Sequence, residues 1–307
     1  MKKDIILTRI KYFSSSFIKN FFRRNKQCTY CNSSQYKVIS KKFFVTKLVR
    51  CENCKFMFRI PITNVKENNA YYQNKYTGGG QDLIDDKDNF TVDIPKEIQK
   101  NNLKFIDFKN SDKDYSKYIS VLSKINKIYS QTKFKLFDYG CSWGYGSYQL
   151  KEAGYEVTSY EISKSRSDYA KNKLGINTLP NLENVQSETF DFFFSAHVLE
   201  HLPEPKKTLD FALNIIKKGS YLLIFTPNGS LERKNKDFYR WNKAWGLIHP
   251  NLIDEQFYKN IFSKQKYFIT TSFEKDSSFL DKFLINNENF CGKMDEEELL
   301  IIVKKVV

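Results

Sequence analysis

The chain of 307 residues lacks any apolar stretch that approaches the roughly 18 residues of a membrane-spanning helix. It also lacks the pattern of a secretory leader. The opening MKKDIILTRIKYF begins with basic residues, but Thr8 and Arg9 interrupt its apolar run and no small-residue cleavage site follows. No internal repeat is visible. These absences exclude a membrane-embedded or repeat protein, and we expect a cytoplasmic one.

Histidine is scarce, since His197, His201 and His249 are the only three in the chain. Histidine titrates near neutral pH, so these three residues are the first candidates for a general base. His197 and His201 stand in the segment HVLEH, directly after a predicted strand. His249 stands in the later segment WGLIHPNLIDEQFY. The candidates for acid–base chemistry therefore come from two segments of the second half of the chain.

Positive charge is abundant, with 50 Lys and Arg against 35 Asp and Glu and a net charge of +15. A basic protein is a candidate for nucleic-acid binding. Here the basic residues are spread over the whole length beside many Asn and Ile, which is typical of a compositional bias. We therefore do not expect a nucleic-acid partner.

Residues 1–26 are predicted to form a basic amphipathic helix. Its apolar residues recur at helical spacing and are Ile6, Ile10, Phe13, Phe17 and Phe21. We expect this helix to pack on its own domain or on a second subunit. The alternative is peripheral contact with an anionic membrane surface at the inner face of the membrane.

Four of the six cysteines form two C-x-x-C pairs, Cys28 with Cys31 and Cys51 with Cys54. Two such turns suit one tetrahedral zinc ion, and four protein ligands leave no open position for chemistry. The intervening SQYKVISKKFFVTKLVR predicts two short strands. Residues 27–60 are therefore expected to form a small zinc ribbon with a structural Zn²⁺.

A glycine-rich turn stands in LFDYGCSWGYGSYQL, residues 136–150, with the spacing Gly140-x-x-x-Gly144-x-Gly146. This is not the G-x-G-x-x-G of dinucleotide-binding turns. From residue 131 to 307 the chain alternates predicted strands and helices, which favours a parallel sheet that binds its ligand beyond the carboxyl ends of the strands. One of these helices is predicted over EPKKTLDFALNIIKKG, with Gly219 after its end.

Residues 61–130 are predicted to be a connector followed by helices. The polar stretch RIPITNVKENNAYYQNKYTGGGQ ends in three glycines and indicates a mobile connector. Residues 95–130 are expected to be helical, with YISVLSKINKIYS the clearest stretch.

Asp138, the three glycines of the turn, and Glu161 at the end of the next strand together resemble the S-adenosylmethionine-binding motifs of class I methyltransferases. FDFFFSAHVLEHLPEP is similar to that family's fourth strand and the loop after it. RCENCKFMFRIP and YYQNKY resemble the end of the zinc ribbon, and the aromatic segment after it, that precede such a domain in one branch. The resemblance implies an α/β, Rossmann-like class I methyltransferase domain with a seven-stranded sheet, preceded by a small zinc ribbon.

The resemblance also implies which residues meet the cofactor S-adenosylmethionine. The glycines let the backbone approach its methionine and ribose, Asp138 meets its amino group, and Glu161 accepts hydrogen bonds from both ribose hydroxyls. The adenine is expected near residues 181–182. The expected cofactor-binding residues are Asp138, Gly140, Cys141, Gly144, Gly146, Glu161, Asn181, Leu182 and Ser195.

The implied reaction is methyl transfer to a small-molecule or glycan acceptor, with a sugar hydroxyl in cell-surface polysaccharide biosynthesis as the first expectation. A hydroxyl must lose its proton, and His249 is the first candidate base or substrate contact, with His197 second. Trp241, Trp245 and Tyr239 are expected either as aromatic faces for a sugar ring or as core. The alternatives are an RNA methyltransferase that grips RNA through its ribbon and a non-catalytic zinc-ribbon adaptor.

Overall fold

The computed structural model describes residues 10, 13–20, 26–74, 113–129 and 131–306. Parts of the predicted N-terminal helix and of the helical stretch predicted over residues 95–130 lie outside these residues. Residues 13–19 form helix α1. Phe13 and Phe17 are 47% and 54% exposed, while Asn20 after this helix donates to the Val45 carbonyl oxygen and Lys19 pairs with Glu67. Packing of the helix on its own domain or on a second subunit stays a prediction.

An antiparallel sheet follows α1. Its strands are β1 (Tyr36–Lys42), β2 (Thr46–Cys51), β3 (Met57–Ile60) and β9 (Asn251–Leu252), in the order β1-β2-β3-β9. The first two are the strands predicted between the cysteine pairs. Strand β9 comes from the second half of the chain and pairs with β3, with Met57 opposite Leu252. The cysteine-rich segment is thus joined to the later part of the chain by backbone hydrogen bonds.

The second sheet has eight strands in the order β11-β10-β12-β8-β7-β4-β5-β6. They are β4 (Phe134–Tyr139), β5 (Tyr155–Tyr160), β6 (Asn177–Leu179), β7 (Phe190–Ala196), β8 (Ile216–Pro227), β10 (Lys266–Thr270), β11 (Phe290–Cys291) and β12 (Glu298–Lys304). Neighbours from β6 to β8 are parallel, and β12 is antiparallel to β8 and β10. This is the predicted Rossmann-like α/β architecture, with the two-residue β11 added at the edge of the seven expected strands.

Nine further helices follow α1 in the described part of the chain, and several of them cover the two faces of this sheet. They are α2 (Val65–Asn74), α3 (Ser116–Asn126), α4 (Tyr145–Glu152), α5 (Lys164–Leu174), α6 (Pro205–Ile215), α7 (Leu231–Lys236), α8 (Phe238–Lys243), α9 (Glu255–Ile261) and α10 (Phe273–Asn286), with a one-turn 3₁₀ helix at Leu199–His201. Successive strand residues point to opposite faces, so Phe137 and Phe193 are buried in one core, and Phe192 and Phe194 in the other.

Two local predictions are wrong. The helix predicted to run up to Gly219 ends at Ile215, because Ile216 is fully buried and pairs with Phe190 at the start of β8. The predicted mobile connector contains helix α2, whose Gln73 side chain donates to the Ile162 carbonyl oxygen at 2.5 Å. The second error matters for function, because α2 reaches the carboxyl edge of the sheet.

Candidate active site

The glycine-rich turn follows β4 at the centre of the sheet, where the strand order reverses between β5 and β7. Open α/β sheets bind their ligands at this point. Gly140 has φ +87°, and its N–H donates to the Tyr160 carbonyl oxygen at 2.8 Å. A Cβ atom at Gly140 would lie 2.4 Å from Val198 Cγ2, and one at Gly146 would lie 2.2 Å from Tyr115 Cζ. Both positions therefore require glycine.

Glu161 follows β5 directly, and its carboxylate closes the turn from the neighbouring strand. Its Oε2 accepts a hydrogen bond from the Ser142 N–H at 2.9 Å, and its Oε1 accepts one from the Ser163 N–H at 2.8 Å. Burial raises the pKa of Glu161, while the two backbone donors and the Arg166 guanidinium oppose the rise. The result is a carboxylate held in a fixed orientation.

A cavity of about 930 Å³ opens beside the turn and Glu161. Its other walls come from α2, the start of α3 and the 3₁₀ turn after β7. The lining includes Asn68, Tyr72, Tyr115, Lys117, Gly140, Cys141, Gly146, Tyr160, Glu161, Ile162, His197 and His201. The structure thus brings the two HVLEH histidines to the same cavity as the glycine turn.

Other predicted cofactor residues lie outside the lining formed by the described residues. Asp138 is 1% exposed beneath the turn, and its Oδ2 accepts from Ser147 Oγ at 2.5 Å. Burial raises the pKa of Asp138 to about 7, which the Ser147 hydrogen bond opposes. Gly144 packs against Ala170 in α5. Ser195 is 1% exposed within β7.

Asn181 and Leu182 follow β6 and also lie outside that lining. The Asn181 Oδ1 accepts a hydrogen bond from the Glu183 N–H at 3.1 Å, which forms a local turn. Leu182 packs against the core on one face of the sheet. The residues next to Glu161 that do face the cavity are Tyr160 and Ile162.

His197 stands between two carboxylates. Its Nε2 donates to Glu298 Oε1 at 2.7 Å, and its Nδ1 lies 3.4 Å from Glu200 Oε1. Burial alone would lower the pKa of His197, but the two carboxylates raise it to about 10. Burial would raise the pKa of Glu298, but His197 and Lys117, whose Nζ lies 2.8 Å away, lower it to about 2. The two carboxylates therefore favour the protonated imidazolium of His197.

His201 lies in the cavity wall with His249 behind it in an edge-to-face contact, their ring centroids 4.4 Å apart and their planes at 74°. His201 Nδ1 donates to the Ile248 carbonyl oxygen at 3.0 Å, and His249 Nδ1 donates to the Ala244 carbonyl oxygen at 3.2 Å. Burial lowers the pKa of His201 to about 3, and the adjacent His249 adds to the effect. His201 is thus neutral at pH 7 and keeps a lone pair on Nε2.

The two tryptophans near His249 belong to the core. Trp241 and Trp245 are 1% and 0% exposed and pack against Leu48 of β2 and Met57 of β3. The expectation that they offer faces to a sugar ring is wrong, because the cysteine-rich sheet covers them. Tyr239 is 68% exposed and lies at the surface.

The four cysteines converge at the other end of the cysteine-rich sheet. Both cross-pairs, Cys28 with Cys54 and Cys31 with Cys51, have Sγ–Sγ distances of 3.5 Å. All four sulfur atoms lie within 4.8 Å of one another. A tetrahedral Zn²⁺ with bonds near 2.3 Å needs sulfur atoms about 3.8 Å apart. The residues therefore fit a zinc ion.

A family profile described as a methyltransferase domain matches residues 94–269. That span covers more than half of the chain and includes the glycine turn, Glu161 and all three histidines. The chain belongs to this methyltransferase family. The cavity of this methyltransferase lies beside the turn after β4, the position at which open α/β sheets bind their ligands.

The methyltransferase is also similar to curated proteins. It is 32% identical over 101 residues to the ubiquinone biosynthesis O-methyltransferases of Coxiella burnetii strains Dugway 5J108-111 and RSA 493. Each match covers 30% of this chain and 43% of the relative, so the match spans less than half the length of these relatives.

Solved structures match it at low identity. A SAM-dependent methyltransferase from Archaeoglobus fulgidus is 18% identical, with a TM-score of 0.44, over 66% of this chain and 100% of that one. The plantazolicin methyltransferase BamL is 15% identical, with a TM-score of 0.48, over 66% of this chain and 88% of that one.

Several residues of the site do not stand out in the sequence. Asn68 and Tyr72 come from α2, whose start carries a recognisable capping box: Asn64 Oδ1 accepts from the Glu67 N–H at 2.9 Å. Glu298 reaches His197 from β12, 101 positions along the chain, and no local pattern marks it.

Among the described helices of the methyltransferase, none has the length and apolarity to cross a membrane.

Proposed function

We propose that the protein transfers a methyl group from S-adenosylmethionine to a hydroxyl oxygen of a small-molecule or glycan acceptor. A sugar hydroxyl in cell-surface polysaccharide biosynthesis is the first acceptor class. The observation that supports this is a single cavity bounded on one side by the glycine turn and Glu161, and on the other by His197 and His201. Glu161 on the first side offers hydrogen-bond acceptor atoms for the ribose of the cofactor. The histidines on the second side place imidazoles where the hydroxyl of the methyl acceptor would react.

The cofactor side fits S-adenosylmethionine, which supplies an electrophilic methyl group when bound. Glu161 lines the cavity and would accept hydrogen bonds from both ribose hydroxyls. Gly140 and Cys141 would lie along the methionine part. Asp138 lies beneath the turn, so we assign it to holding the turn through Ser147.

The adenine side differs from the sequence-based expectation. Tyr160 and Ile162 line the cavity beside Glu161, so we propose that they contact the adenine. Asn181 and Leu182 would then support that wall from outside. Residue Ser195 would support the floor of the site from within β7.

The acceptor side must activate a hydroxyl whose pKa lies far above neutral. His197 holds its proton between two carboxylates, so we assign it to orienting an acceptor oxygen by donating a hydrogen bond. We assign activation of the hydroxyl to the cluster of Glu200, His201 and His249. Within this cluster His201 faces the cavity, and His249 fixes its ring from behind.

Parallel assays with methyl-labelled S-adenosylmethionine test the acceptor class. The acceptors are nucleotide sugars, purified surface glycan, a hydroxylated ring precursor of ubiquinone biosynthesis, and total RNA. We expect label in the sugar fractions. Label in the ubiquinone precursor would instead favour the acceptor class of the Coxiella burnetii relatives. Label in RNA alone, lost as salt is raised, would support the RNA alternative. No label and no cofactor binding would leave the adaptor alternative.

We also propose that the four clustered cysteines hold one structural Zn²⁺. The Sγ positions fit a tetrahedral ion, and four thiolates fill its coordination shell. The ion would hold the cysteine-rich sheet against Trp241 and Trp245, which that sheet covers.

We further propose that the N-terminal region contacts an anionic membrane surface. Phe13 and Phe17 of α1 are exposed, and Asn20 Nδ2 donates to the Val45 carbonyl oxygen at 2.8 Å. This contact puts the end of α1 beside the β1–β2 turn, where Phe44 is fully exposed. Sedimentation with phosphatidylglycerol vesicles tests the contact, and Phe17→Ser should weaken it. Equal sedimentation with phosphatidylcholine vesicles, or dimerisation that depends on Phe17, would contradict it.

A further inference from the structure

Glu200 is a buried carboxylate with unused acceptor capacity. It lies within the 3₁₀ turn after β7 and is 1% exposed. Neither of its oxygens accepts a hydrogen bond from any residue that the structure describes. Its charged neighbour is His197, whose Nδ1 lies 3.4 Å from Oε1, and a buried carboxylate that accepts no hydrogen bond is unfavourable. The pocket around Glu200 is therefore suited to a cation.

The two imidazoles beside Glu200 are oriented as metal ligands are. His201 and His249 each donate Nδ1–H to a backbone carbonyl oxygen, at 3.0 Å and 3.2 Å. Such a hydrogen bond fixes the tautomer and leaves the Nε2 lone pair available, which is the usual outer-shell arrangement of metal-bound histidine. His201 Nε2 lies 3.9 Å from Glu200 Oε1, beyond hydrogen-bonding distance.

We propose that Glu200, His201 and His249 bind one divalent transition-metal cation at the acceptor side of the cavity. One ligand atom from each residue lies within 4.8 Å of the other two. Metal bonds of about 2.0–2.2 Å would bring these atoms to about 3 Å apart, a closure of less than about 2 Å.

The donor set limits which cation fits. Two imidazoles and one carboxylate suit Zn²⁺, Mn²⁺ or Fe²⁺, whereas Mg²⁺ and Ca²⁺ prefer all-oxygen sites. Three protein ligands also leave coordination positions open. Because His201 lines the cavity, the open positions face the acceptor. This distinguishes the site from the four cysteines, which are softer ligands and fill a tetrahedral shell.

The cation would bind the acceptor oxygen and lower the pKa of its hydroxyl, and this role rests on the proposed function. Metal binding itself rests on the donor set alone. The competing arrangement is an ion pair between His197 and Glu200 without a metal. In it, His197 Nδ1, 3.4 Å from Glu200 Oε1, neutralises the carboxylate.

Mn²⁺ titration of the full-length protein, with zinc already bound by its cysteines, tests the site directly. Manganese binds thiolates poorly, so the cysteine cluster does not take it up. We expect one Mn²⁺ per chain, with electron spin-echo modulation from directly bound imidazole nitrogen. Mn²⁺ that shows no nitrogen coupling, or no stoichiometric binding, would overturn the proposal. This measurement needs no variant.

Variants then assign the ligands. His249→Ala and Glu200→Gln should each weaken Mn²⁺ binding by about 100-fold or more. Cys51→Ser is the matched control, which should lose zinc and keep Mn²⁺. His197→Gln should keep or tighten Mn²⁺ binding, because it removes a competing positive charge. Unchanged Mn²⁺ affinity in both His249→Ala and Glu200→Gln would place the ion elsewhere and overturn the assignment.

A separate assay tests whether the bound cation takes part in methyl transfer to the acceptor. Methyl transfer that is lost on chelation and restored by Mn²⁺ would support it. Transfer that persists in chelator-treated protein would overturn the cation's role and leave the proposed function standing. Absence of methyl transfer with Mn²⁺ bound would contradict the proposed function and not the metal site.

Discussion

Replacing Glu161 by alanine tests whether the carboxylate after β5 holds the cofactor. In the structure both of its oxygens accept backbone N–H bonds, from Ser142 and from Ser163. These bonds orient the carboxylate toward the cavity and leave further lone pairs on each oxygen for the ribose hydroxyls. Alanine removes the charge and the acceptors together, whereas Glu161→Gln keeps the shape and removes the charge.

The magnitude follows from the hydrogen bonds that are lost. A bond to a charged group contributes about 1.5–3 kcal/mol, and water that enters the cavity restores part of it. We expect Glu161→Ala to weaken S-adenosylmethionine binding by about 1–3 kcal/mol, which is roughly 5- to 150-fold in Kd. The Gln variant should fall between the wild type and Ala, since a neutral amide keeps one acceptor.

Titration calorimetry on folded protein measures the effect. The matched control is Glu156→Ala, which removes an exposed carboxylate, 68% accessible, from the same strand β5. We expect this control to bind S-adenosylmethionine like the wild type. A folded Glu161→Ala variant with wild-type Kd would refute the assignment of Glu161 to the ribose.

Three further predictions concern the cysteines and the histidines. Metal analysis of reduced wild-type protein should find zinc bound by the cysteines, and a zinc-free wild type would contradict this. The Cys51→Ser variant should lose the zinc and unfold at a lower temperature, while its affinity for the cofactor stays nearly unchanged. His249→Ala should lower kcat by about 100-fold or more with cofactor Kd nearly unchanged, as single-turnover kinetics would show; full activity would remove His249 from the acceptor side. The His197–Glu298 pair should stabilise the fold fully between about pH 4.5 and 6.5, the ordinary pKa values of the two groups, and lose this effect as pH rises toward 10 or falls toward 2. The difference in unfolding free energy between wild type and His197→Gln should therefore shrink at both extremes, and a flat difference would refute the pairing.

The sheet was predictable because its central strands are buried on both faces. The runs in β4 and β7 are rich in apolar residues, and helix-like stretches separate them, which indicates a parallel α/β sheet. The glycine turn was predictable because Gly140 and Gly146 lie where any side chain would collide with a neighbour. These two collisions are tertiary contacts with Val198 and Tyr115, but the positive φ of Gly140 and Gly144 is a local requirement of the turn and leaves a local signature.

The acceptor side was harder to predict because tertiary contacts build it. Glu298 sets the protonation of His197, but it arrives through the antiparallel pairing of β12 with β8. Tyr72 comes from a helix whose polar sequence resembles a connector. The burial of Trp241 depends on β2 and β3 crossing over it. None of these contacts leaves a pattern at nearby positions in the sequence.

The most direct measurement of the central claim is a single-turnover reaction of the full-length protein with methyl-labelled S-adenosylmethionine and a pool of nucleotide sugars. We predict that label leaves the cofactor and appears as a methyl ether on a sugar oxygen, with an equal amount of S-adenosylhomocysteine released. We also predict that Glu161→Ala and His249→Ala both slow this transfer. A wild-type protein that binds no S-adenosylmethionine, or a Glu161→Ala variant that transfers at the wild-type rate under subsaturating cofactor, would contradict the assignment of the site.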